Sequence, residues 1–181
     1  MANRNDVTVR MATQNDLSLL RDLSISTFQA TFGEQNTPED MDSYVTENFS
    51  EEQLGREISD PLATFLIAEQ PGKAVGYAKL QAGNPAGCVT GREPIELVRL
   101  YVVSESIGGG IGSRLMQEAI DRAASQGYKT LWLGVWEHNP RAQRFYQRWG
   151  FEHVGSHIFQ LGSDAQTDLI LQKHLFAHSP E

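Results

Sequence analysis

Between Ile95 and Gln126 the chain runs from an apolar strand, Ile95-Glu96-Leu97-Val98-Arg99-Leu100-Tyr101-Val102-Val103, through Ser104-Glu105-Ser106-Ile107 into a glycine run, Gly108-Gly109-Gly110-Ile111-Gly112, and then a helix expected to open at Ser113. Glycines at such a junction let the backbone turn with positive φ and come close to a ligand, since no Cβ intervenes. The helix that follows points unpaired N–H groups and the positive end of its dipole at whatever lies in front of it. A strand, a glycine turn and a helix N-terminus in this order make a phosphate site.

Spacing separates the phosphate loops that begin this way. A P-loop needs Gly-x-x-x-x-Gly-Lys-Ser/Thr, and here Ser113 and Arg114 follow the last glycine, so the lysine is absent. A dinucleotide fold needs Gly-x-Gly-x-x-Gly. Gly108 and Gly110 fit it, but Ser113 takes the third position. Glu137 could stand as the ribose-binding acid, yet a dinucleotide fold needs several further βα units and only about forty residues remain.

The third candidate is the acetyl-CoA loop of the GNAT acetyltransferases, with the pyrophosphate signature Arg/Gln-x-x-Gly-x-Gly/Ala. Ile107-Gly108-Gly109-Gly110-Ile111-Gly112 resembles it, with Ile107 in place of the usual Arg or Gln. The family's second mark is similar to Asn139-Pro140-Arg141-Ala142-Gln143-Arg144-Phe145-Tyr146, ending in Trp149-Gly150-Phe151. The resemblance implies an α/β (α+β) GNAT fold. That is a mixed central sheet of about seven strands flanked by about four helices, with strands splayed at the acetyl-CoA site. It also implies acetyl-CoA as cosubstrate, with no metal.

Length and composition agree with one enzyme domain spanning residues 1–181. Hydrophobic residues are 40% and charged residues 21%, ordinary for a folded chain. No apolar run approaches the ~18 residues of a membrane span, and the polar start Met1-Ala2-Asn3-Arg4-Asn5-Asp6 lacks a signal-peptide core. Cys88 stands alone, which excludes a disulfide and a thiolate zinc site. His153 and His157, four apart on an expected strand, would lack a third ligand and read as surface or packing histidines. A formal charge of −8 argues against nucleic acid and suits a cationic small-molecule acceptor. A cytoplasmic enzyme is expected, with no membrane partner and with a homodimer left open.

Punctuation gives the element order. Val7 to Met11 alternates like an edge strand. Thr13 with Asp16 forms a helix start, and that helix should turn Leu17, Leu20, Leu23 and Phe28 inward. Thr37-Pro38-Glu39-Asp40 and Ser50-Glu51-Glu52-Gln53 are further start signals. Strands at 64–69 and 74–81 flank Pro71-Gly72-Lys73 as a hairpin, and residues 83–94 form a loop. Gly127 closes the long helix, a buried strand covers 130–135, Asn139 caps a helix that Gly150 ends, and strands near 152–159 and 168–173 finish the chain. The expected order is β-α-α-β-β-β-α-β-α-β-β.

On the strand, a period of two puts Glu96, Val98, Leu100 and Val102 on one face. A glutamate in an apolar strand is expensive to bury without a partner or a task. Deprotonating an alkylammonium of pKa ~10.4 would be such a task, and Glu96 matches the strand glutamate proposed as base in several family members. The alternative is a strand-end glutamate in water, or one paired with Arg99 or Arg92. The resemblance further implies that backbone groups of Leu100, Tyr101 and Val102 meet the pantetheine and the thioester oxygen. It implies too that Ile107, Gly108, Gly109, Gly110, Ile111, Gly112 and Ser113 hold the pyrophosphate, and that Asn139 adds a contact. Tyr146 is the candidate acid for the departing thiolate. Ala142, Phe145, Tyr146 and Trp149 also form a core stripe, so a buried structural tyrosine is the competing reading. The run Leu131 to Trp136 reads as core, with Gly134 leaving room where two strands part.

Residues Thr27 to Met41 are similar to the N-terminal helices of PaiA-type acetyltransferases, which acetylate spermidine and spermine, as are Leu133 to Glu137 and Gln166 to Ile170. Val98 departs from that pattern, standing where a glutamate is expected. The resemblance implies a polyamine acceptor held by Phe28, Phe32, Glu34 and Glu39. An acyl-CoA-binding regulator without turnover, or an acceptor that is another small amine or a peptide amine, are the alternatives.

Overall fold

The computed structural model describes residues 6–175. Seven strands form one sheet in the order β1-β2-β3-β4-β5-β7-β6. They are β1 (Thr8–Met11), β2 (Ala63–Gln70), β3 (Lys73–Ala82), β4 (Pro94–Val102), β5 (Thr130–Trp136), β6 (Glu152–Leu161) and β7 (Asp164–His174). Every neighbouring pair is antiparallel except β4–β5, which is parallel. This is the mixed sheet that the resemblance implied.

Among the described residues, five α-helices cover the two faces. α1 (Leu17–Phe32), α2 (Pro38–Asn48) and α3 (Glu51–Ser59) precede β2, α4 (Ile111–Ser125) joins β4 to β5, and α5 (Pro140–Arg148) leads to β6. The start signal at Ser50 therefore opens a helix of its own, one more than the expected order held, with Ser50 Oγ accepting from Gln53 N at 3.3 Å. Thr37 Oγ1 likewise accepts from Asp40 N at 3.2 Å and opens α2. On one face α4 buries Ile111, Leu115, Met116, Ala119 and Ala123 against Leu66, Ala78, Leu97, Leu131 and Leu133. On the other, Leu20 and Leu23 of α1 pack on Phe65, Ile67 and Tyr77, while Phe28, Met41, Phe49 and Leu54 join the three N-terminal helices.

Helix α4 opens at Ile111, two residues before the expected Ser113. Gly110 sits at φ 79° as its N-cap, so the chain turns within the glycine run itself, and Ile111 enters the core with 1% exposure. Strand β7 begins at Asp164, four residues earlier than expected, because Gly162 and Ser163 make a tight β6–β7 turn fastened from α2. Asp40 Oδ1 accepts from Ser163 N at 2.6 Å and Oγ at 2.9 Å.

Strand β4 carries the largest departure from regular pairing. Lys79 pairs with Arg99 and the next pair is Leu80 with Leu97, so Val98 is an extra, bulged residue. A bulge bends its strand and reverses the alternation beyond it. Glu96 therefore does not share a face with Leu100 and Val102, as a strict period of two required. It shares one with Arg99 and Tyr101, while Ile95, Leu97, Leu100 and Val102 lie against α4.

At the N-terminal edge, Asp16 accepts from Arg10 at 2.8 and 2.9 Å and from Thr13 N at 2.8 Å, and Arg10 also reaches Glu69 at 2.9 Å. The Arg10 hydrogen bonds lower the Asp16 carboxyl to about 2. A depressed carboxylate stabilises the fold above the unfolded-state value near 3.8 and loses that contribution as pH falls toward 2. Asp16→Asn should cost about 1 kcal/mol at neutral pH, and the gap from the parent protein, measured by urea denaturation, should shrink between pH 4 and pH 2.

Candidate active site

The β4–β5 ladder holds only from Pro94–Thr130 to Glu96–Trp132. Beyond it, residues 97–102 of β4 have no partner on that side, and residues 133–136 of β5 pair with β7 alone. The bulge at Val98 supplies the bend that separates the two strands. Val103 N donates to Val75 O at 3.0 Å, which fixes the phase of the β3–β4 ladder. By alternation, Tyr101 points its main-chain groups at β3, whereas those of Leu100 and Val102 point into the fork. Tyr101 instead faces the cavity with its ring, which stacks on Tyr77 at 5.9 Å.

The fork opens into a cavity of about 1380 Å³. That exceeds the ~300–1,000 Å³ of a pocket for one small molecule and leaves room for two substrates together. Its lining contains Glu96, Leu100, Tyr101, Val102, Asn139 and Tyr146, together with Ile107, Gly108, Gly110, Gly112 and Ser113 of the glycine loop. At the loop, the first backbone bond of α4 is Arg114 N to Gly110 O at 3.1 Å, so the N–H groups from Gly110 to Ser113 have no main-chain acceptor. Gly108 and Gly110 both adopt positive φ, and a Cβ on either would meet only open space. The concave run suits an anion such as a pyrophosphate. Two loop positions differ from the rest: the Ile111 side chain is core, which leaves only its N–H for the cradle, and Gly109 N already donates to Ser106 O at 3.2 Å.

Asn139 caps α5 by accepting from Ala142 N at 3.1 Å and also lines the cavity. Tyr146 packs edge-on against Phe145 and Phe151, at 5.4 and 5.8 Å, and its hydroxyl has no hydrogen-bond partner among the described residues. Burial pushes that hydroxyl up to about 12, so it holds its proton throughout the neutral range. Burial also pushes the Glu96 carboxyl above the ordinary carboxylate range, while Lys79 draws it back.

Beneath Glu96 lies a cluster that the sequence reading did not assign. Glu57 of α3 accepts from Arg99 at 2.7 and 3.2 Å and from Lys79 at 3.0 Å. All three side chains are nearly buried, at 12%, 8% and 7% exposure. Arg99 also stands over the Phe49 ring at 5.1 Å. Burial alone would raise the Glu57 carboxyl, but the two cations outweigh it and hold it below the ordinary value. Arg99 is therefore not a partner for Glu96; its guanidinium is committed to Glu57. No sequence spacing links positions 57, 79 and 99, so only the fold brings them together.

Phe28 and Phe32 line the cavity with Tyr44, Trp136 and Phe159. Glu34 and Glu39 do not: Glu34 in the α1–α2 turn and Glu39 in the first turn of α2 are both exposed and lie outside the lining. The lining holds four lysines and arginines (Lys79, Arg99, Arg141, Arg148) against three acids (Glu57, Glu96, Asp168), so the net charge of −8 is not concentrated there.

A family model described as the acetyltransferase (GNAT) family matches residues 20–151. An N-acetyltransferase of the pepI 3′ region of Lactobacillus delbrueckii subsp. lactis is 34% identical over 93% of this chain and 98% of its own length. Among solved structures, the PaiA N-acetyltransferase from Thermoplasma acidophilum in complex with coenzyme A superposes with a TM-score of 0.76 at 24% identity, covering 93% of this chain and 99% of that one. The ribosomal-protein-alanine N-acetyltransferase from Brucella melitensis superposes at 0.67 with 28% identity, over 93% and 99% of the two chains.

Removing the Glu57 charge would leave two buried cations facing each other. Glu57→Gln should therefore destabilise the protein by about 3–5 kcal/mol, measured by chemical denaturation. A change below 1 kcal/mol would show that the cluster is more hydrated than its burial implies.

Proposed function

The chain belongs to the acetyltransferase (GNAT) family, and from that premise we propose that it moves the acetyl group of acetyl-CoA to a primary amine by direct attack, both substrates occupying the cavity at the β4–β5 fork. The observation that carries this reading is the fork itself: free main-chain groups of Leu100 and Val102 open toward the same cavity as the N–H cradle at Gly110 to Ser113. When bound, acetyl-CoA supplies the acetyl group as an activated thioester.

The residues fit that cosubstrate. Gly108, Gly110, Gly112 and Ser113, with the N–H of Ile111, hold the pyrophosphate, and Ile107 contributes only backbone. Leu100 and Val102 orient the pantetheine, and an N–H aimed at the carbonyl oxygen of the thioester stabilises the charge that develops there. Glu96 takes the ammonium proton of the acceptor, its burial making it a stronger base than an exposed carboxylate. Tyr146 Oη holds a proton and gives it to the departing sulfur.

As acceptor we take a polyamine. The support is the PaiA-like segment from Thr27 to Met41 and the aromatic wall of Phe28, Phe32 and Tyr44, which suits an alkylammonium chain. Because the lining is close to neutral, selectivity has to come from individual groups rather than from a broad acidic field. The test is thiol release from acetyl-CoA with spermidine, spermine, a neutral amine and a peptide ending in alanine, at two ionic strengths. Preference for the polyamines is expected. If the peptide is preferred at both salt concentrations, the acceptor is a protein N-terminus, as the name of the Brucella enzyme suggests for that relative.

Two substitutions probe the machinery. A Cβ at Gly112 would make only ordinary contacts, at 3.7 Å to Phe145 and 3.9 Å to Leu100. Gly112→Val should therefore fold normally while crowding the cradle, raising the KM for acetyl-CoA tenfold or more with kcat little changed. Tyr146→Phe keeps the packing and removes the proton donor. It should lower kcat by about 10²-fold without weakening acetyl-CoA binding, and normal turnover of that variant at every pH would reduce Tyr146 to a core residue.

A further inference from the structure

The acceptor side of the cavity contains a carboxylate that the proposed chemistry does not use. Asp168 of β7 lies opposite Trp136 of β5 and opposite His157 of β6, so the three share one row on the cavity face of the sheet. Its side chain is 14% exposed, and the nearest basic group, His157 Nε2, is 3.8 Å away, beyond hydrogen-bond length. Among the described residues no lysine or arginine forms an ion pair with it, unlike Asp16 with Arg10 or Glu57 with Arg99 and Lys79. Burial pushes its carboxyl upward, while His157 draws it part of the way back.

The walls around this acid are aromatic. Tyr44 stacks on Phe28 at 4.4 Å and meets Phe159 at 5.6 Å, and Phe32 meets Trp136 at 6.0 Å. Gln166 Nε2 donates to Asn36 Oδ1 at 2.7 Å, which ties the α1–α2 turn down to β7 and fixes these walls over the chamber. Aromatic faces around a single carboxylate favour an organic cation over a metal or an anion. The carboxylate also leans toward the fork, since a Cβ on Gly134 would stand 3.2 Å from Asp168 Oδ2. Gly134 is two residues along β5 from Trp132, the partner of Glu96, a strand distance of about 7 Å. The chamber therefore begins a few methylene lengths from the group proposed to deprotonate the reacting amine.

We propose that Asp168, walled by Tyr44, Phe159 and Trp136, is the subsite for a second cationic group of the acceptor, an alkylammonium a few methylenes from the amine that is acetylated. The proposal rests on the amine-acceptor reading above. It replaces Glu34 and Glu39 with one interior acid as the group that recognises charge. Gly134 is part of the subsite, because any side chain there would cover the carboxylate.

The experiment compares 1,4-diaminobutane with butylamine on the acetyl-CoA-saturated protein, by calorimetric binding with a non-transferable acetyl-CoA analogue and by turnover. The parent protein should bind the diamine at least tenfold more tightly than the monoamine. Asp168→Asn, which keeps the shape and removes the charge, should abolish that difference while leaving butylamine and acetyl-CoA binding unchanged. Gly134→Ala serves as an independent variant and should weaken the diamine selectively, even if the Asn variant folds poorly. Equal binding of the two amines by the parent protein, or a diamine preference that survives in both variants, overturns the subsite. Charge-selective diamine binding without acetylation would support the subsite while refuting the proposed reaction.

Discussion

The structure turns on the end of the β4–β5 ladder at Glu96 and Trp132. A parallel pair that stops after three residue pairs would ordinarily be a defect, because main-chain donors and acceptors inside a protein are costly to leave unmatched. Here the bulge at Val98 makes the separation part of the fold. It bends β4, leaves the main-chain groups of Leu100 and Val102 facing the opening, and puts Glu96 on the face opposite α4. The same residue thus sets both where the fork opens and which side chains share a chamber with it.

That chamber is braced by charge. Glu57 reaches from α3 to Arg99 and Lys79 on adjacent strands, so the helical layer and the strand beneath the fork are joined by a buried ion cluster instead of apolar contact alone. Such a cluster adds little net stability compared with a well-packed apolar equivalent, but breaking it is expensive. It also leaves an excess positive charge near Glu96, and Lys79 opposes the burial that raises its carboxyl. Across the cavity, no lysine or arginine among the described residues pairs with Asp168, and that contrast is the basis for proposing it as the group that meets a charged acceptor.

Much of this fold was legible in the sequence, for local reasons. Thr37, Ser50 and Asn139 announce helix starts through hydrogen bonds to nearby backbone N–H groups, and each makes its bond in the structure. The strand, glycine run and helix around Gly110 were recognisable because a left-handed turn needs a glycine there. The face of Glu96 was not, because a bulge adds one residue without leaving a mark in the hydropathy pattern, and a rule of strict alternation then fails beyond it. Nor was the Glu57–Arg99–Lys79 cluster, whose members come together because the Glu57 side chain of α3 reaches Lys79 on β3 and Arg99 on β4. Asp168 stands in a segment recognised by resemblance, but that no lysine or arginine among the described residues pairs with it, and that His157 at 3.8 Å is its nearest basic group, is visible only in three dimensions. Glu34 and Glu39 were misplaced for the opposite reason: proximity in sequence to Phe32 said nothing of which way the turn would face.

The most direct test of the fork is the amide exchange of Leu100 and Val102, followed by NMR without ligand and with saturating acetyl-CoA. The account predicts that both amides exchange much faster than those of Tyr101 and Val103, which donate to β3, and that acetyl-CoA slows them selectively. Slow exchange at Leu100 and Val102 in the free protein, or no response to acetyl-CoA, would contradict it.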